Sequence, residues 1–292
     1  MTMTLNQKIY QKCQKLKFKY LTLNFDEKFL EKVKKYIGFS PKPIKVPIKD
    51  KKEKANFLFI LNSIDFSLWC YPENWKYCGK KGYFGLEKRF YDFFKKFGLQ
   101  KVKFEDFKNL VSPKEDKKLA YLRYKIYIQT LDWLNKNYKG NFLNFLKKYG
   151  NDPKRFVLKL IVLPQYNDIV SKYDIHFYKK AQLLYWEMYL YRFLKNKEKV
   201  KHLTIFPDYR VISIFNYFGI MKYKSKLSDK INKGKEIKAG SREEVELRAG
   251  AVLAGKWLSK NLKKPEVELD FILWNLARKK NLKFHKTKTI FY

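Results

Sequence analysis

Ser241-Arg242-Glu243-Glu244-Val245-Glu246-Leu247-Arg248, running on through Ala249 to Leu262, is the stretch that decides the architecture. Ser241 precedes Glu244 by three residues. That is the capping-box arrangement, in which a hydroxyl and a carboxylate satisfy the free amides of a helix start. Glu244 and Arg248 stand four apart on one helical face and can pair, while Glu246 points elsewhere with Arg242 at the other end of its face. The alternative reading is a capped helix with surface ion pairs and no chemistry.

Outward from this helix, most segments carry the same spacing. Leu5 to Tyr20 and Asp26 to Tyr36 read as helices, the second with Asp26 as N-cap. Ser40 to Asp50, with Pro41, Pro43 and Pro47, reads as an extended connector. Ala55 to Trp69 reads as helix entry after a strand-like start, and Asn74 to Gly85 as a glycine-bearing loop. Helices follow at 86–97, 104–110, 119–138, 142–149 and 154–163, then at 178–195, 209–218 and 269–279. Gly219 stops the helix of 209–218, and Pro153 opens that of 154–163. The tail from Phe284 to Tyr292 alternates and reads as extended. No period repeats, which argues against a solenoid. The expectation is a mainly α globule, with a small β element near Phe57 to Ile60 and at the tail.

The chain has 292 residues, 46% of them hydrophobic, enough for a sizeable core. No apolar run is long enough for a membrane span, and the start has no apolar signal region. A cytoplasmic protein with no membrane association is therefore expected. Three cysteines, Cys13, Cys70 and Cys78, give neither a disulfide framework nor zinc-binding spacing. The formal charge of +37, from 65 Lys and Arg against 28 Asp and Glu, favours polyanions. The same excess is what a compositional bias toward lysine produces. A true nucleic-acid footprint would cluster on one face.

The common phosphate-loop, dinucleotide, zinc-protease and serine-hydrolase signatures are missing. With only His176, His202 and His285, a histidine metal site is not expected, so carboxylates and cations must carry any catalysis. Phe206-Pro207-Asp208-Tyr209-Arg210 sets a carboxylate at a helix start between aromatic rings. Asp208 reads equally as a plain N-cap. His176-Phe177-Tyr178-Lys179-Lys180-Ala181-Gln182 puts Lys179 at a helix mouth, where an ammonium and the helix dipole can hold phosphate. Its alternative is one more solvated lysine. Asp270 and Trp274 share a face of the last helix and suit a flat cationic base; as readily, Asp270 caps while Trp274 fills the core. Asn62-Ser63-Ile64-Asp65-Phe66-Ser67-Leu68-Trp69, with Trp75, has the composition of a pocket wall or of any buried segment.

In order and spacing these segments resemble the queuosine salvage family, the queuosine 5'-phosphate N-glycosidase/hydrolases, from Ile64 to Trp69 onward. Gly140-Asn141-Phe142-Leu143-Asn144 is similar to a mid-chain element of that family. Phe177 to Gln182, Phe206 to Arg210 and Glu244 to Arg248 resemble further elements, as do Asp270 with Leu273-Trp274 and Ala277-Arg278. The closing Phe284-His285 and Ile290-Phe291-Tyr292 resemble its C-terminus. Two departures stand out. The family has Asp near Asn62 and Asn near Asp65, as though exchanged, and Lys180 stands where Arg is usual. Residues 1–54 match weakly, and 1–292 is read as a single domain.

The resemblance implies a fold similar to helix-hairpin-helix DNA glycosylases and hydrolysis of queuosine 5'-phosphate to queuine. It implies Asp208 as the catalytic carboxylate, with Phe206 and Asp270 in the base pocket and Lys179 reaching phosphate or sugar. Tyr209, Arg210 and Trp274 complete the expected substrate-binding set. The expected partner is a small nucleotide, with no cofactor, no metal and no obligatory nucleic acid. The competing readings are a helix-hairpin-helix nucleic-acid glycosylase that keeps Asp208, and a non-catalytic helical module for RNA or protein.

Overall fold

The computed structural model describes residues 3–38, 41–43 and 45–292. Its first half holds α1 (Leu5–Gln14), β1 (Leu21–Leu23), α2 (Lys28–Lys34), α3 (Lys51–Ile64), α4 (Tyr83–Phe97), α5 (Phe104–Val111) and α6 (Lys117–Tyr138). Then come α7 (Phe142–Tyr149), α8 (Pro153–Leu160), β2 (Ile169–Val170), β3 (Ile175–His176), α9 (Lys179–Leu190) and α10 (Lys197–Val200). The last part holds α11 (Tyr209–Phe218), β4 (Met221–Tyr223), α12 (Ser225–Asn232), α13 (Arg242–Leu262) and α14 (Glu266–Lys279). The chain is thus mainly α, with a small β element.

Helix starts are written in short polar side chains. Asp50, Asp116, Asn141, Asp152, Asn196, Asp208 and Ser241 each accept a hydrogen bond from an amide of the first turn. At α13 the box is split: Ser241 Oγ accepts from Glu244 N at 3.3 Å, while Glu244 Oε2 accepts from Gly240 N at 3.2 Å. The expected pairs on this helix both form. Arg248 Nη1 lies 3.3 Å from Glu244, and Arg242 Nε 2.7 Å from Glu246.

Apolar residues bury in two groups. One is built on α3 to α9 and is rich in stacked rings, such as Phe59 against Phe142 at 4.2 Å and 6°. The other joins α2 and α11 to α14, with β1 and β4. Helix α13 packs against α1, α11 and α14 and so touches both. Asn56 ties α3 to the start of α7, donating to Gly140 O at 2.8 Å and accepting from Phe142 N at 2.8 Å.

Several elements depart from expectation. Residues 57–60 lie inside α3, so no strand forms there. Strand pairing instead joins β1 to β4, antiparallel with Thr22 opposite Lys222, and β2 to β3. At the tail only one bridge forms, Lys286 with Glu236. The apolar run at 57–60 misled because α3 is buried on every face in its second half, which erases the polar stripe of a helix. Helix α9 ends at Leu190, not Lys195, and α14 starts at Glu266, before Leu269. Asp26 stands one residue ahead of the α2 flank, yet its Oδ1 still accepts from Lys28 N at 3.0 Å. In the proline connector, Ser40 and Ile44 lie outside the described residues; Pro41, Pro43 and Pro47 form no helix or strand.

Helix α4 starts inside the segment expected as loop, and Gly85 lets it start there. A Cβ on Gly85 would sit 1.9 Å from the Trp75 carbonyl oxygen, and Trp75 is fully buried. Gly85→Ala should therefore cost about 1–3 kcal/mol of stability through forced backbone displacement. A urea unfolding midpoint equal to that of the parent would show the contact is dispensable.

Candidate active site

A cavity of about 200 Å³ opens where the two apolar groups meet. Helix α9 forms one wall with Lys179, Leu183, Trp186, Glu187, Leu190 and Tyr191. The start of α11 and one face of α14 form the other, with Phe206, Asp208, Tyr209, Arg210, Asp270, Phe271, Trp274, Asn275 and Arg278. Asp65 and Leu68 come from beyond α3, Tyr83 and Phe84 from the start of α4, and Tyr292 from the tail. All seven residues expected in the site line this one cavity.

Asp208 divides its carboxylate. Oδ1 accepts from Arg210 N at 2.8 Å and Val211 N at 2.9 Å, capping α11. Oδ2 has no hydrogen-bond partner among the described residues, on a side chain that lines the cavity. The cap reading and the cavity reading thus hold together, one oxygen each.

Two acids one turn apart on α14 hold the strand that delivers Asp208. Glu266 Oε2 accepts from Ile205 N at 2.9 Å, and Asp270 Oδ1 from Phe206 N at 2.8 Å. Asp270 therefore lies inside its helix and caps a neighbouring segment, not α14. Burial, reinforced by the Asp208 charge, lifts its carboxyl well above the usual range; Lys179 and the Phe206 amide pull the other way. Burial also pushes Glu266 up to about 8.

Asp65 is set in place by cations behind it. Buried Arg123 donates to the carbonyls of Ile64 and Phe66 on either side and pairs with Glu115 at 2.6 Å. Lys180 Nζ donates to Ser63 O at 2.7 Å and Ile290 O at 3.4 Å, closing the carbonyl end of α3 and tying down the tail. Lysine supplies these two bonds without a guanidinium fork. The Asp65 carboxyl is raised by burial, against the charges of Lys179, Lys180 and Arg123.

Lys179 opens α9, but the amide of that helix start is already taken: Asp168 Oδ2 accepts from Lys179 N at 3.1 Å. The residue is 5% exposed, and its charge interacts with Asp65, Glu187 and Asp270. Arg210 and Arg278 form the cationic side. Arg210 lies 4.6 Å over Phe284, and its buried Nη1 has no partner among the described residues. Arg278 lies 4.4 Å over Phe84 and 4.7 Å over Trp274, and burial followed by the Arg210 charge lowers its pKa.

Sequence reading missed Glu187, Tyr83 and Phe84, and gave Asp65 and Arg278 no role. Helical spacing carried a signal for two of them. Glu187 falls eight residues after Lys179 through Leu183, and Arg278 eight after Asp270 through Trp274. Of the 62–69 segment, Asn62 backs the wall by donating to Glu187 at 3.1 Å, while Trp75 is buried in the core and lines nothing.

Fold and cavity define a class: a helical protein whose buried pocket combines carboxylates, aromatic rings and guanidinium groups that form no ion pair among the described residues. The queuosine salvage protein family matches residues 45–292, and the chain belongs to that family. A mouse protein named queuosine 5'-phosphate N-glycosylase/hydrolase is 32% identical over 197 residues, 58% of this chain and 57% of its own. A bovine protein of that name is 31% identical over 198 residues, again 57% of its length. One from Sphaerobacter thermophilus is 26% identical over 267 residues, 82% of this chain and 81% of its own. The chain thus aligns with little more than half of its mammalian relatives.

Arg248 underlies the Lys179 wall. It is buried and binds Asp168 at 2.9 Å through Nη1, and Asp168 in turn caps α9. Arg248→Met leaves that acid buried and unpaired, which should cost about 3–5 kcal/mol in urea unfolding. A loss under about 1 kcal/mol would show that Asp168 finds another partner.

Proposed function

We propose that this chain hydrolyses the N-glycosidic bond of queuosine 5'-phosphate, giving queuine and ribose 5-phosphate. One observation carries the reading: Asp208 has one oxygen committed to the helix and the other free in an aromatic-lined cavity. Breaking a ribosyl C–N bond builds positive charge on the sugar ring. A fixed carboxylate stabilises that charge and can orient or deprotonate the attacking water. Capping by Oδ1 holds Oδ2 still, so no reorganisation is needed as the charge develops.

The other roles follow from charge. Queuine carries a secondary ammonium, and Asp270 is its partner in this reading. Burial favours the neutral form of Asp270, and an arriving ammonium would favour its ionised form. Phe206, Tyr209 and Trp274 offer ring faces to the base. Arg210, with its unpartnered Nη1, takes the phosphate together with Arg278, since guanidinium groups match phosphate oxygens. Lys179, placed among acids, reaches the sugar or phosphate and balances the carboxylates around it. The likeness to helix-hairpin-helix DNA glycosylases and a single domain over 1–292 belong to the same proposal. Tyr10 of α1 donating to Glu266 of α14 supports the latter.

Asp208→Asn is the decisive variant, because asparagine caps a helix as well as aspartate does. Release of queuine, followed by chromatography, should fall by about 10³-fold or more. Nucleotide binding and thermal midpoint should stay close to the parent. Turnover within tenfold of the parent would reject the role of Asp208.

A further inference from the structure

Glu187 is the acid of the cavity that nothing above explains. It lies on α9, two turns from Lys179 and on the wall facing Asp208 and Asp270. No Lys, Arg or His nitrogen lies within 4.0 Å of it among the described residues. Its flanking wall is Trp186 and Leu190. An ionised carboxylate in such a wall is costly without a paired cation. Its hydrogen bonds also distinguish its two oxygens. Asn62 Nδ2 donates to Oε2 at 3.1 Å, and amide N–H cannot accept, so a proton on this carboxyl belongs on Oε1. Tyr83 Oη donates to Oε1 at 3.4 Å, a long bond that the hydroxyl can relinquish by rotating when Oε1 carries the proton, and both residues line the cavity.

We propose that Glu187 enters the reaction uncharged, as the hydrogen-bond donor that the α9 wall offers to the departing base. This rests on the glycosidase reading. As the C–N bond breaks, its electron pair goes to the base and negative charge builds there, until the base takes up the proton released by the attacking water. A neutral donor stabilises that charge, whereas an ionised carboxylate would repel it. A deazaguanine lacks the ring nitrogen that ordinary purine leaving groups can protonate, so help must come as a hydrogen bond at another edge. Asp65 and Asp270 are poorer candidates. Asp65 sits under the charges of Lys179, Lys180 and Arg123, and Asp270 is given to the ammonium of the base in the same reading, which favours its ionised form.

The surroundings set the pH range. Burial pushes Glu187 up to about 8, helped by the charge of Asp65 and opposed by Asn62, Lys179 and Tyr83. Lys180, Tyr166 and Tyr191 also face it, with Glu87 beyond Tyr83 and Tyr191. With the pKa raised, the donor form is present at pH 7 and is lost as pH rises through about 8.

The test is a pH profile of kcat/KM on queuosine 5'-phosphate, which reports groups of the free enzyme. The parent should lose activity above about pH 8. Glu187→Gln keeps a donor and cannot ionise. Its rate at pH 7 should lie above that of Glu187→Ala, because one hydrogen bond is exchanged for another, and its profile should lose the alkaline limb. Glu187→Ala should lower kcat by about tenfold with KM little changed. An alkaline limb unmoved in the glutamine variant would assign it to Glu266 or Asp270 and overturn the proposal. A glutamine variant dead at every pH would overturn it too, since full proton transfer would then be required. Infrared spectra at pH 6.5 offer a check free of substrate: the parent should show protonated-carboxyl intensity that the glutamine variant lacks, and equal intensity refutes it. A parent that releases no base sinks the glycosidase reading and this one with it. An active parent failing the other arms sinks this one alone.

Discussion

Everything at the cavity depends on holding residues 205–208 still. This segment has no regular structure of its own, so its amides need partners from elsewhere. Glu266 and Asp270 supply them, one turn apart on α14, spaced to meet successive amides at 205 and 206. The segment then turns, with Asp208 N donating to Phe206 O at 2.7 Å, and Asp208 caps α11. Gly255 of α13 allows this approach: a Cβ there would lie 2.7 Å from Ile205 and 3.0 Å from Glu266 Oε2. Two buried acids are an expensive way to hold a strand. Their return is a rigid Asp208, which a mobile loop would not give.

A second layer of buried charge holds the opposite wall. Arg248, stacked 4.0 Å over Phe177 and 4.9 Å over Tyr292, binds Asp168 and Glu244; Tyr292 donates to Glu244 at 2.9 Å. Asp168 caps α9, so α9, α13 and the tail meet in one network. Lys180 and Arg123 do the same for the end of α3. Each of these cations is saturated by carbonyls or carboxylates. Arg210, with an open Nη1, and Lys179, outside hydrogen-bond range of any acid among the described residues, are not. That difference separates the cations that build the cavity from those left to meet a ligand.

How much of this was legible in the sequence follows from how local each feature is. Caps and stops read well: Asp208, Ser241 and Gly219 act within one turn of themselves. The α13 pairs read well because an i,i+4 spacing is fixed by helix geometry. Asp270 was ambiguous because its partner, the Phe206 amide, is 64 residues away. The β1 and β4 pairing, between residues 21–23 and 221–223, was invisible for the same reason. Asp65 and Glu187 could not be distinguished from other acids, since their distinction is burial against particular neighbours. The proline segment illustrates the limit from the other side: it read as a connector, but nothing local announced that Lys42 and Pro43 would line the cavity.

The chain's composition and its cavity have opposite electrostatic characters, and the proposed chemistry would use both. A chain of net charge +37 presents a field that draws in a phosphate ester from solution. That field alone would oppose a reaction whose transition state is cationic at the sugar. Four acids, Asp65, Glu187, Asp208 and Asp270, are gathered in one cavity, where the proposed reaction would develop its positive charge. Were all four ionised together, they would repel the phosphate that the surface attracts. Burial resolves the conflict by raising Asp65, Glu187 and Asp270. Asp208 Oδ1 is bonded to two amides of a helix start, which leaves Oδ2 to face the cavity. In the proposed reaction the cavity can thus hold several acids while Asp208 offers its free oxygen to the sugar, and Arg210 of α11 and Arg278 of α14 meet the phosphate.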